Sequence, residues 1–248
     1  PHCMHVKGHG GLKRCVLQTQ NHCKRFPFVA RFDVESYYES ISHDILLQQS
    51  YKAGLSAWHI DLIDAYLKVP DRSGSGKGLT AGGALSPLLA ALYLTPLDRA
   101  MEVEIIRQNV RYMRYMDDFV IFARTRFQLR RAIRTVHQVL NKLHLRVHPL
   151  KRFIGRTTKG FDFLGYRFKP DHGLGVAAKT TAKTTAKMLG RVRRLQEQGA
   201  DVFELRRYVL HWWRWLHAGL RGQVTCWRRF LNLWQAIPNI NHRDLAAI

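Results

Sequence analysis

Two adjacent carboxylates, Asp117 and Asp118, interrupt an otherwise strand-like stretch of the chain. The runs on either side, residues 110–114 and 119–123, are rich in β-branched and aromatic residues, which favour strands. Since almost nothing separates the two runs, they predict a tight hairpin with the carboxylates at its tip. Two like charges repel each other there, and a divalent cation such as Mg²⁺ would relieve the repulsion. A solvated Asp-Asp turn is the alternative that these residues alone leave open.

The chain carries a large excess of positive charge. Lysine and arginine number 40 against 18 aspartates and glutamates, which gives a formal net charge of +22 over 248 residues. Such an excess destabilises a folded chain by self-repulsion unless a polyanion lies close by. Nucleic acid is therefore the expected partner, and an anionic membrane surface is the alternative. No apolar run approaches the ~20 residues that span a bilayer.

A second segment supplies a third carboxylate. Residues 28–33 alternate with the period of a strand, so that Phe28, Ala30 and Phe32 share one face. If that face lies on the core, Asp33 points to the opposite side of the sheet, where a site could form. Nucleotidyl transfer needs carboxylates from different segments that hold two metal ions ~4 Å apart. Asp33 and the hairpin tip could supply them if their strands are neighbours.

Capping residues and hydrophobic periodicity predict the other elements of this region. Four helices are expected to begin near the following residues: Ser42 or Ser40, Ser56, Ser86 and Thr125. Pro96 should bend or end the third of these helices. A short helix near Leu12 and strands at residues 145–147 and 161–168 complete the pattern. This order predicts an α+β domain with helices on one face of a largely antiparallel sheet.

The composition changes after residue 176, where a helical second domain is expected. Lys179, Lys183 and Lys187 are four residues apart and would form one basic stripe on a helix, suited to nucleic acid. Helices are predicted from Asp201 to about Gly219 and over residues 224–234, and their tryptophans fit a core better than a base-stacking surface.

Five segments, in order along the chain, resemble the motifs of bacterial reverse transcriptases of the group II intron and retron type. Residues 31–43 (RFDVESYYESISH) resemble the first catalytic motif, and residues 78–90 (GLTAGGALSPLLA) look like the Gly-rich nucleotide-pocket motif. Residues 114–118 (RYMDD) are similar to the tyrosine–X–Asp–Asp box. Residues 145–151 and 163–166 resemble the following lysine motif and the primer-grip hairpin.

The resemblance implies a right-hand polymerase palm followed by a small all-α thumb. The palm would be ferredoxin-like and occupy residues 28–170, after the end of the fingers in residues 1–27 and before the thumb in residues 171–248. The expected activity is that of an RNA-directed DNA polymerase, a nucleotidyltransferase that extends a primer 3′-OH with dNTPs. The expected partners are an RNA template, a DNA or RNA primer and a structured cognate RNA, in the cytoplasm of a bacterial cell without a membrane contact.

The resemblance also assigns roles to the carboxylates. Asp33 and Asp117 would bind two Mg²⁺ ions with Asp118 assisting, and Val34 completes the expected metal set; Mn²⁺ is the expected substitute. Lys151 would lie near the triphosphate, where it could offset charge or donate a proton to the leaving group.

Further residues are expected to contact the substrates. Tyr38 occupies the steric-gate position, where an aromatic ring would clash with a ribose 2′-OH and so favour dNTPs. The set expected at the nucleotide is Tyr38, Ala81, Gly82, Tyr115 and Met116, and the primer grip is Phe163, Leu164, Gly165 and Tyr166.

The sequence departs from the family at two places. The family usually has Gln where this chain has Ala81, and the chain starts near the end of the fingers, so that an upstream segment or a partner is expected to supply the triphosphate-gripping cations. Two other functions stay open: template-independent or protein-primed DNA synthesis in antiphage defence, and a non-catalytic maturase remnant that binds intron RNA.

Overall fold

The computed structural model describes residues 2–69, 71, 74–171 and 174–217. The chain forms two compact units that divide between Lys159 and Gly160. The sequence places the boundary after residue 170, so the hairpin expected at the end of the palm belongs here to the second unit. The predicted palm and thumb assignments themselves stay predictions.

The first unit combines helices with one sheet. Its described helices are α1 (Gly11–Arg25), α2 (Tyr37–Ser40), α3 (His43–Lys52), α4 (Ala57–Lys68), α5 (Ser86–Tyr93), α6 (Thr95–Gln108) and α7 (Arg126–Lys142). Its described strands are β1 (Phe28–Asp33), β2 (Arg111–Tyr115), β3 (Asp118–Ala123) and β4 (Phe153–Arg156). These strands pair antiparallel in the order β2-β3-β1-β4, as the sequence predicted for a largely antiparallel sheet.

Most helix starts agree with the predicted caps. Ser42 and Ser56 occupy the N-cap positions of α3 and α4. The Thr125 hydroxyl accepts a hydrogen bond from the Gln128 N–H, and the Gln128 side-chain oxygen accepts one from the Thr125 N–H, which makes a capping box at the start of α7. The long apolar helix is divided at Leu94, and Pro96 lies in the first turn of the second part, where its missing N–H is tolerated.

The fourth strand differs from the prediction. Residues 145–147 form only an isolated bridge, between Val147 and Val34, and the strand beside β1 is β4 at Phe153–Arg156. Because β1 ends at Asp33, residues 145–147 lie past its last ladder position and have little to pair with. The half-buried β4 segment contains Gly155 and alternates only weakly, which hides it from a search for hydrophobic periodicity.

Helices cover both faces of the sheet rather than one. Phe119 and Ile121 belong to the main core with Ala30 and Phe32, and α7 packs on that side through residues such as Val136. On the opposite face, the Phe122 ring contacts His22 and Phe26, at and just beyond the end of α1, at centroid distances of 5.9 and 6.4 Å. The prediction missed this second layer because α1 is a 15-residue helix whose many basic and histidine residues conceal its buried stripe. That stripe comprises Cys15, Val16, Thr19, Gln20 and Cys23.

The second unit contains a small sheet and two helices. The strands β5 (Phe161–Phe163), β6 (Tyr166–Phe168) and β7 (Gly175–Val176) pair antiparallel in sequence order. The helices α8 (Ala178–Glu197) and α9 (Val202–His217) pack through four buried residues: Met188, Val192, Leu205 and Val209. Residues 224–234 and Gly219 lie outside the described part of the chain. None of the described helices combines the length and apolar character needed to cross a bilayer.

A buried ion pair fixes the hairpin of β2 and β3 to α6. The Arg114 side chain is fully buried, and its Nε donates to Asp98 Oδ1 over 2.8 Å. The Tyr112 hydroxyl donates to the same oxygen over 2.9 Å, and Arg114 Nη1 donates to the Met116 carbonyl oxygen. Arg114 is fully buried and the Asp98 side chain is only 14% exposed, so each charge depends mainly on the other rather than on water.

We expect the Arg114→Met variant to lower the free energy of unfolding by about 3–5 kcal/mol, because it leaves Asp98 buried without its cation. Chemical denaturation measures this loss. Arg107→Met, on the exposed side of α6, is the matched control and should change the free energy by less than about 0.5 kcal/mol. Adding Asp98→Leu to Arg114→Met should restore part of the loss, and no recovery would contradict a charge-based cause.

Candidate active site

The three predicted carboxylates come from neighbouring strands. Asp33, the last residue of β1, is the direct cross-strand partner of Asp118, the first residue of β3. Asp117 lies in the two-residue turn between β2 and β3, next to Asp118. Since the strands pair antiparallel, the end of one meets the start of the other at the same edge of the sheet. The hairpin and the convergence predicted from the sequence are therefore both present.

Two basic side chains form ion pairs with two of these carboxylates. Lys151 Nζ lies 2.9 Å from Asp33 Oδ2, although most of the Lys151 side chain is exposed. Arg31 Nη2 donates to Asp118 Oδ1 over 2.7 Å, and Arg31 Nη1 donates to the Lys151 carbonyl oxygen over 3.1 Å. The sequence reasoning missed Arg31, yet the period of the strand places Arg31 on the same face of β1 as Asp33. Lys151 lies at the site, as predicted, but as the partner of a carboxylate.

The electrostatics single out Asp117. Burial, followed by the negative charges of Asp118 and Asp33, raises the pKa of Asp117 from 3.8 to about 6. Burial also raises the pKa of Asp118, but the adjacent Arg31 guanidinium opposes that shift. The hydrogen bond to Asp33 raises the pKa of Lys151, which keeps this amine protonated. Asp117 is thus the carboxylate whose charge the protein neutralises least.

The donor chemistry fits Mg²⁺, which prefers carboxylate oxygens. Asp33, Asp117 and Asp118 could hold such ions, and Val34, buried beside Asp33, can offer only its backbone carbonyl oxygen. In the described part of the chain, no three carboxylate, imidazole or thiol groups already surround a single point that a metal could occupy. Lys151 and Arg31 each pair with one oxygen, of Asp33 and Asp118 respectively, so an arriving cation would compete with them for these two carboxylates.

The Gly-rich loop lies against the residues that follow β1. The Leu79 N–H donates to the Tyr38 carbonyl oxygen and the Gly78 N–H to the Ile41 carbonyl oxygen, each over 2.9 Å. The Tyr38 ring meets Tyr37 edge to face at a centroid distance of 5.8 Å. Burial and the negative charge of Asp117 raise the pKa of Tyr38, which places the predicted gate within electrostatic range of the turn.

Two of the glycines in this loop, Gly82 and Gly83, serve different purposes. Gly82 has a φ of +82° and open space where a side chain would be, so its role is conformational. A Cβ on Gly83 would lie 1.9 Å from the Tyr66 hydroxyl oxygen, which is hydrogen-bonded to Ser86 over 2.8 Å. Gly83 is therefore required by the close approach of α4. Ala81, which lies beside Gly82 in the turn of this loop, is exposed.

The turn that carries Asp117 is held from both sides. Met116 adopts a positive φ of 56°, which is uncommon for a residue with a side chain. Arg114 holds the Met116 carbonyl oxygen, and the Met116 N–H donates to His5 Nδ1 over 3.2 Å. His5 Nε2 lies 3.2 Å from the Pro87 carbonyl oxygen, and its ring meets Tyr115 edge to face. A neutral ring protonated at Nε2 satisfies both bonds, and burial lowers the pKa of His5 accordingly.

Sequence reasoning did not find His5, because no local spacing links residues so far apart in the chain. The N-terminal segment runs beside β2, where the Met4 N–H donates to the Arg114 carbonyl oxygen over 2.8 Å. The clue that the sequence does contain is a short His-rich segment before the first helix.

The remaining predicted residues lie in the second unit. The predicted primer grip forms a hairpin in which Leu164 and Gly165 turn with φ values of 49° and 84° between β5 and β6. Phe163 and Tyr166 are cross-strand partners in this hairpin. Lys183 and Lys187 are exposed on α8, and the side chain of Lys179 lies outside the described part of the chain.

The sequence matches one protein-family model, described as reverse transcriptase (RNA-dependent DNA polymerase), over residues 6–168. This match covers the whole carboxylate site and the segment that precedes it. Comparison with curated protein sequences gave no match.

Solved structures of telomerase share the fold. The apo enzyme from Candida tropicalis aligns with a TM-score of 0.54 and 12% identity over 89% of this chain and 48% of that one. Candida albicans telomerase in complex with a fragment of telomeric RNA aligns with a TM-score of 0.53 and 12% identity over 90% of this chain and 46% of that one. A C-terminally truncated apo enzyme from C. tropicalis aligns with a TM-score of 0.52 and 14% identity over 63% of this chain and 38% of that one. This chain therefore spans less than half the length of these telomerases.

The close approach at Gly83 generates a stability prediction. Gly83→Ala should lower the free energy of unfolding by about 1–3 kcal/mol, because the new methyl group overlaps the Tyr66 hydroxyl. In a Tyr66→Phe background the overlapping oxygen is gone, so the same substitution should cost less. A double-mutant cycle by chemical denaturation measures the difference, and strictly additive effects would show that Tyr66 is not the obstacle.

Asp117 generates a pH prediction for the metal-free protein. In the unfolded chain the Asp117 carboxyl loses its proton near pH 3.8, and in the folded protein only near pH 6, so the protonated carboxyl favours the folded state at low pH. This stabilisation by the bound proton is lost as the pH rises between about 4 and 6. Asp117→Asn should therefore become more stable than the wild type above pH 6, with the gap closing towards pH 4. Urea unfolding across this range measures the gap, and a gap independent of pH would contradict the assignment.

Proposed function

The chain belongs to the reverse transcriptase (RNA-dependent DNA polymerase) family, and from this membership we propose that it extends a primer 3′-OH with dNTPs on an RNA template. The observation that carries the proposal is the pairing of Asp33 with Asp118 beside Asp117 in the turn. Three buried or half-buried carboxylates gathered at one edge of a sheet repel one another, and Arg31 and Lys151 offset that repulsion only in part. They suit a site that receives divalent cations together with a polyanionic substrate.

The chemistry proposed for the site is two-metal nucleotidyl transfer. Bound Mg²⁺ would activate the attacking hydroxyl and stabilise the leaving pyrophosphate, with Asp33, Asp117 and Asp118 as the ligands and the Val34 carbonyl beside them. Lys151, protonated and mostly exposed, is suited to move from Asp33 to a triphosphate oxygen and to donate a proton there. Arg31 would keep Asp118 ionised and correctly oriented throughout. Arg114 and His5 hold the turn that presents Asp117.

The selection of nucleotide is assigned to the residues around Tyr38. The Tyr38 side chain packs against the core within electrostatic range of Asp117, and its carbonyl oxygen accepts a hydrogen bond from the Leu79 N–H of the loop. Tyr38 would exclude a ribose 2′-OH, while Gly82, Ala81, Tyr115 and Met116 would border the nucleotide. The primer-grip hairpin and the exposed Lys183 and Lys187, with Lys179, would contact the nucleic acid. These roles rest on the motif matches and on the positions of the side chains within each unit.

The bacterial group II intron or retron type is part of the same proposal. It rests on the ordered motifs of residues 31–166, whereas the structural similarity to telomerases below 25% identity concerns the fold alone. RNA as the template rests instead on membership of the reverse transcriptase (RNA-dependent DNA polymerase) family.

The proposal is tested by primer extension on an RNA template with Mg²⁺ and dNTPs. Asp117→Asn should reduce extension on the order of 100-fold or more, because the least neutralised metal ligand is removed. Asp64→Asn removes a carboxylate from α4, where it pairs with Lys68, and is the control that should retain activity. Extension that survives Asp117→Asn would exclude the metal assignment. Product without template would instead favour template-independent or protein-primed synthesis.

Tyr38 generates a prediction of its own. Tyr38→Ala should increase the use of rNTPs relative to dNTPs, roughly 10-fold or more, because the ring no longer blocks the 2′-OH. Tyr38→Phe keeps the ring and should keep the discrimination. The ratio of kcat/KM for matched dNTP and rNTP measures the effect, and equal ratios in the wild type and both variants would remove Tyr38 from the pocket.

A second candidate function is RNA binding without synthesis, in the manner of a maturase remnant. Two observations favour it: Ala81 replaces the family's Gln, and Lys151 and Arg31 already neutralise two of the carboxylates. This function predicts salt-sensitive RNA binding that Asp117→Asn leaves unchanged, with no extension under any condition.

A further inference from the structure

A basic groove lies between the start of α7 and β4. It has a volume of about 350 Å³, and the residues that matter to its chemistry are Phe28, Arg126, Arg130, Ile133, Ile154 and Arg156. We call it the Phe28 groove. Its wall from α7 presents Arg126 and Arg130, four residues apart on one face of the helix, and β4 supplies Arg156. Neither the family match nor the proposed catalytic site gives these residues a role.

The arginines of the Phe28 groove have no acidic partners among the described residues. Elsewhere in the described residues, Arg31, Arg114 and Arg167 each form an ion pair with an aspartate. No described carboxylate forms an ion pair with Arg126, Arg130 or Arg156, and none lines the groove. Three guanidinium groups gathered around one cavity repel one another, and an anion between them would remove that repulsion.

The floor of the groove is aromatic and apolar. The guanidinium carbons of Arg126 and Arg156 lie 5.8 and 5.9 Å from the centroid of the Phe28 ring, so cation–π attraction holds both cations at the groove. Ile154 is 52% exposed, although it lies on a strand, and contributes apolar surface beside them. Guanidinium groups bind phosphate in a bidentate manner, and flat apolar surface suits a base. The combination matches a nucleotide unit rather than a simple anion.

The groove is separate from the carboxylates. Phe28 is paired with Ala123 at the start of β1, whereas Asp33 is paired with Asp118 at the other end. Five residues of extended strand separate them by roughly 17 Å. Because their positions differ by an odd number, Phe28 points to the α7 side of the sheet and Asp33 to the opposite side. A ligand in the groove therefore occupies a different place from a nucleotide at the carboxylate site.

We propose that the Phe28 groove binds one nucleotide unit of a single-stranded nucleic acid, with Arg126, Arg130 and Arg156 on the phosphates and a base against the apolar floor. The volume, about 350 Å³, accommodates a ligand of that size but not a duplex. The net charge of +22 favours a polyanion over a lone phosphate, because long-range attraction acts on the whole strand. The groove anchors the strand outside the catalytic centre and does not depend on whether the chain polymerises.

The test compares two double variants of the full chain. Arg126→Gln/Arg130→Gln removes two cations from the groove, and Arg131→Gln/Arg134→Gln removes the same charge from the same helix outside it. Fluorescence anisotropy with a short single-stranded RNA, in EDTA and without dNTPs, measures affinity against salt concentration. The groove variant should flatten the slope of log affinity against log salt by about 1.4, since each phosphate contact to a single strand contributes about 0.7. The control should leave the slope within error of the wild type.

Two further measurements determine which nucleic acid is bound and where on the protein it lies. The same titration with single-stranded DNA of equal sequence shows whether RNA, DNA or both are bound, and a groove-specific loss with any of them supports the proposal. Ultraviolet crosslinking of 4-thiouridine RNA followed by peptide mapping should mark the peptides that contain Phe28 or Ile154. Equal slope changes in the two double variants, or crosslinks confined to other peptides, would overturn the proposal. Because no synthesis is measured, a failed primer extension would leave these results unaffected.

Discussion

The antiparallel register between β1 and β3 is the constraint on which the site depends. Phe32 and Phe119 are cross-strand partners in the core, with ring centroids 5.5 Å apart, and the next pair along the ladder is Asp33 with Asp118. The side chains alternate with a period of two, so a slip of one residue would turn Asp33 into the core and Phe32 out of it. The core aromatics therefore determine where the carboxylates meet. Burial stabilises the register, and the register positions the charges.

The charge arrangement at this edge is only partly balanced. Arg31 and Lys151, both in the first unit, offset the charges of Asp118 and Asp33. The site is therefore close to neutral before any metal or substrate arrives. Asp117 is the exception, since burial and its two carboxylate neighbours raise its pKa to about 6. Arg114 and His5 hold its turn by main-chain atoms of Met116, leaving the carboxylate itself available. The arrangement combines a fixed backbone with an unsatisfied charge, which is what a cation site needs before it is filled.

The sequence predicts this region as far as local rules reach. The hairpin, the end of β1 at Asp33 and most helix starts follow from alternation, capping and proline, which act over a few residues. Arg31 was within reach, because it lies two positions before Asp33 on the same face of β1. The strand β4 and the layer formed by α1 were not, since one alternates weakly and the other hides its stripe among basic residues. His5 depends on a contact 111 residues away, which no spacing rule describes.

The positions of the few acidic residues bear on both proposed sites, the carboxylate site and the Phe28 groove. With 18 acids against 40 lysines and arginines, ion pairs can neutralise less than half of the cations. The structure places Asp98 and Asp118 where a buried or half-buried arginine needs a partner, at Arg114 and Arg31. Among the described residues, Arg126, Arg130 and Arg156 on the α7 side of the sheet have no carboxylate partner, and a bound polyanion would relieve their mutual repulsion. A strand in the Phe28 groove would then bind the folded chain in preference to the unfolded one. By mass action it would stabilise the same sheet whose register assembles the carboxylates at its other end.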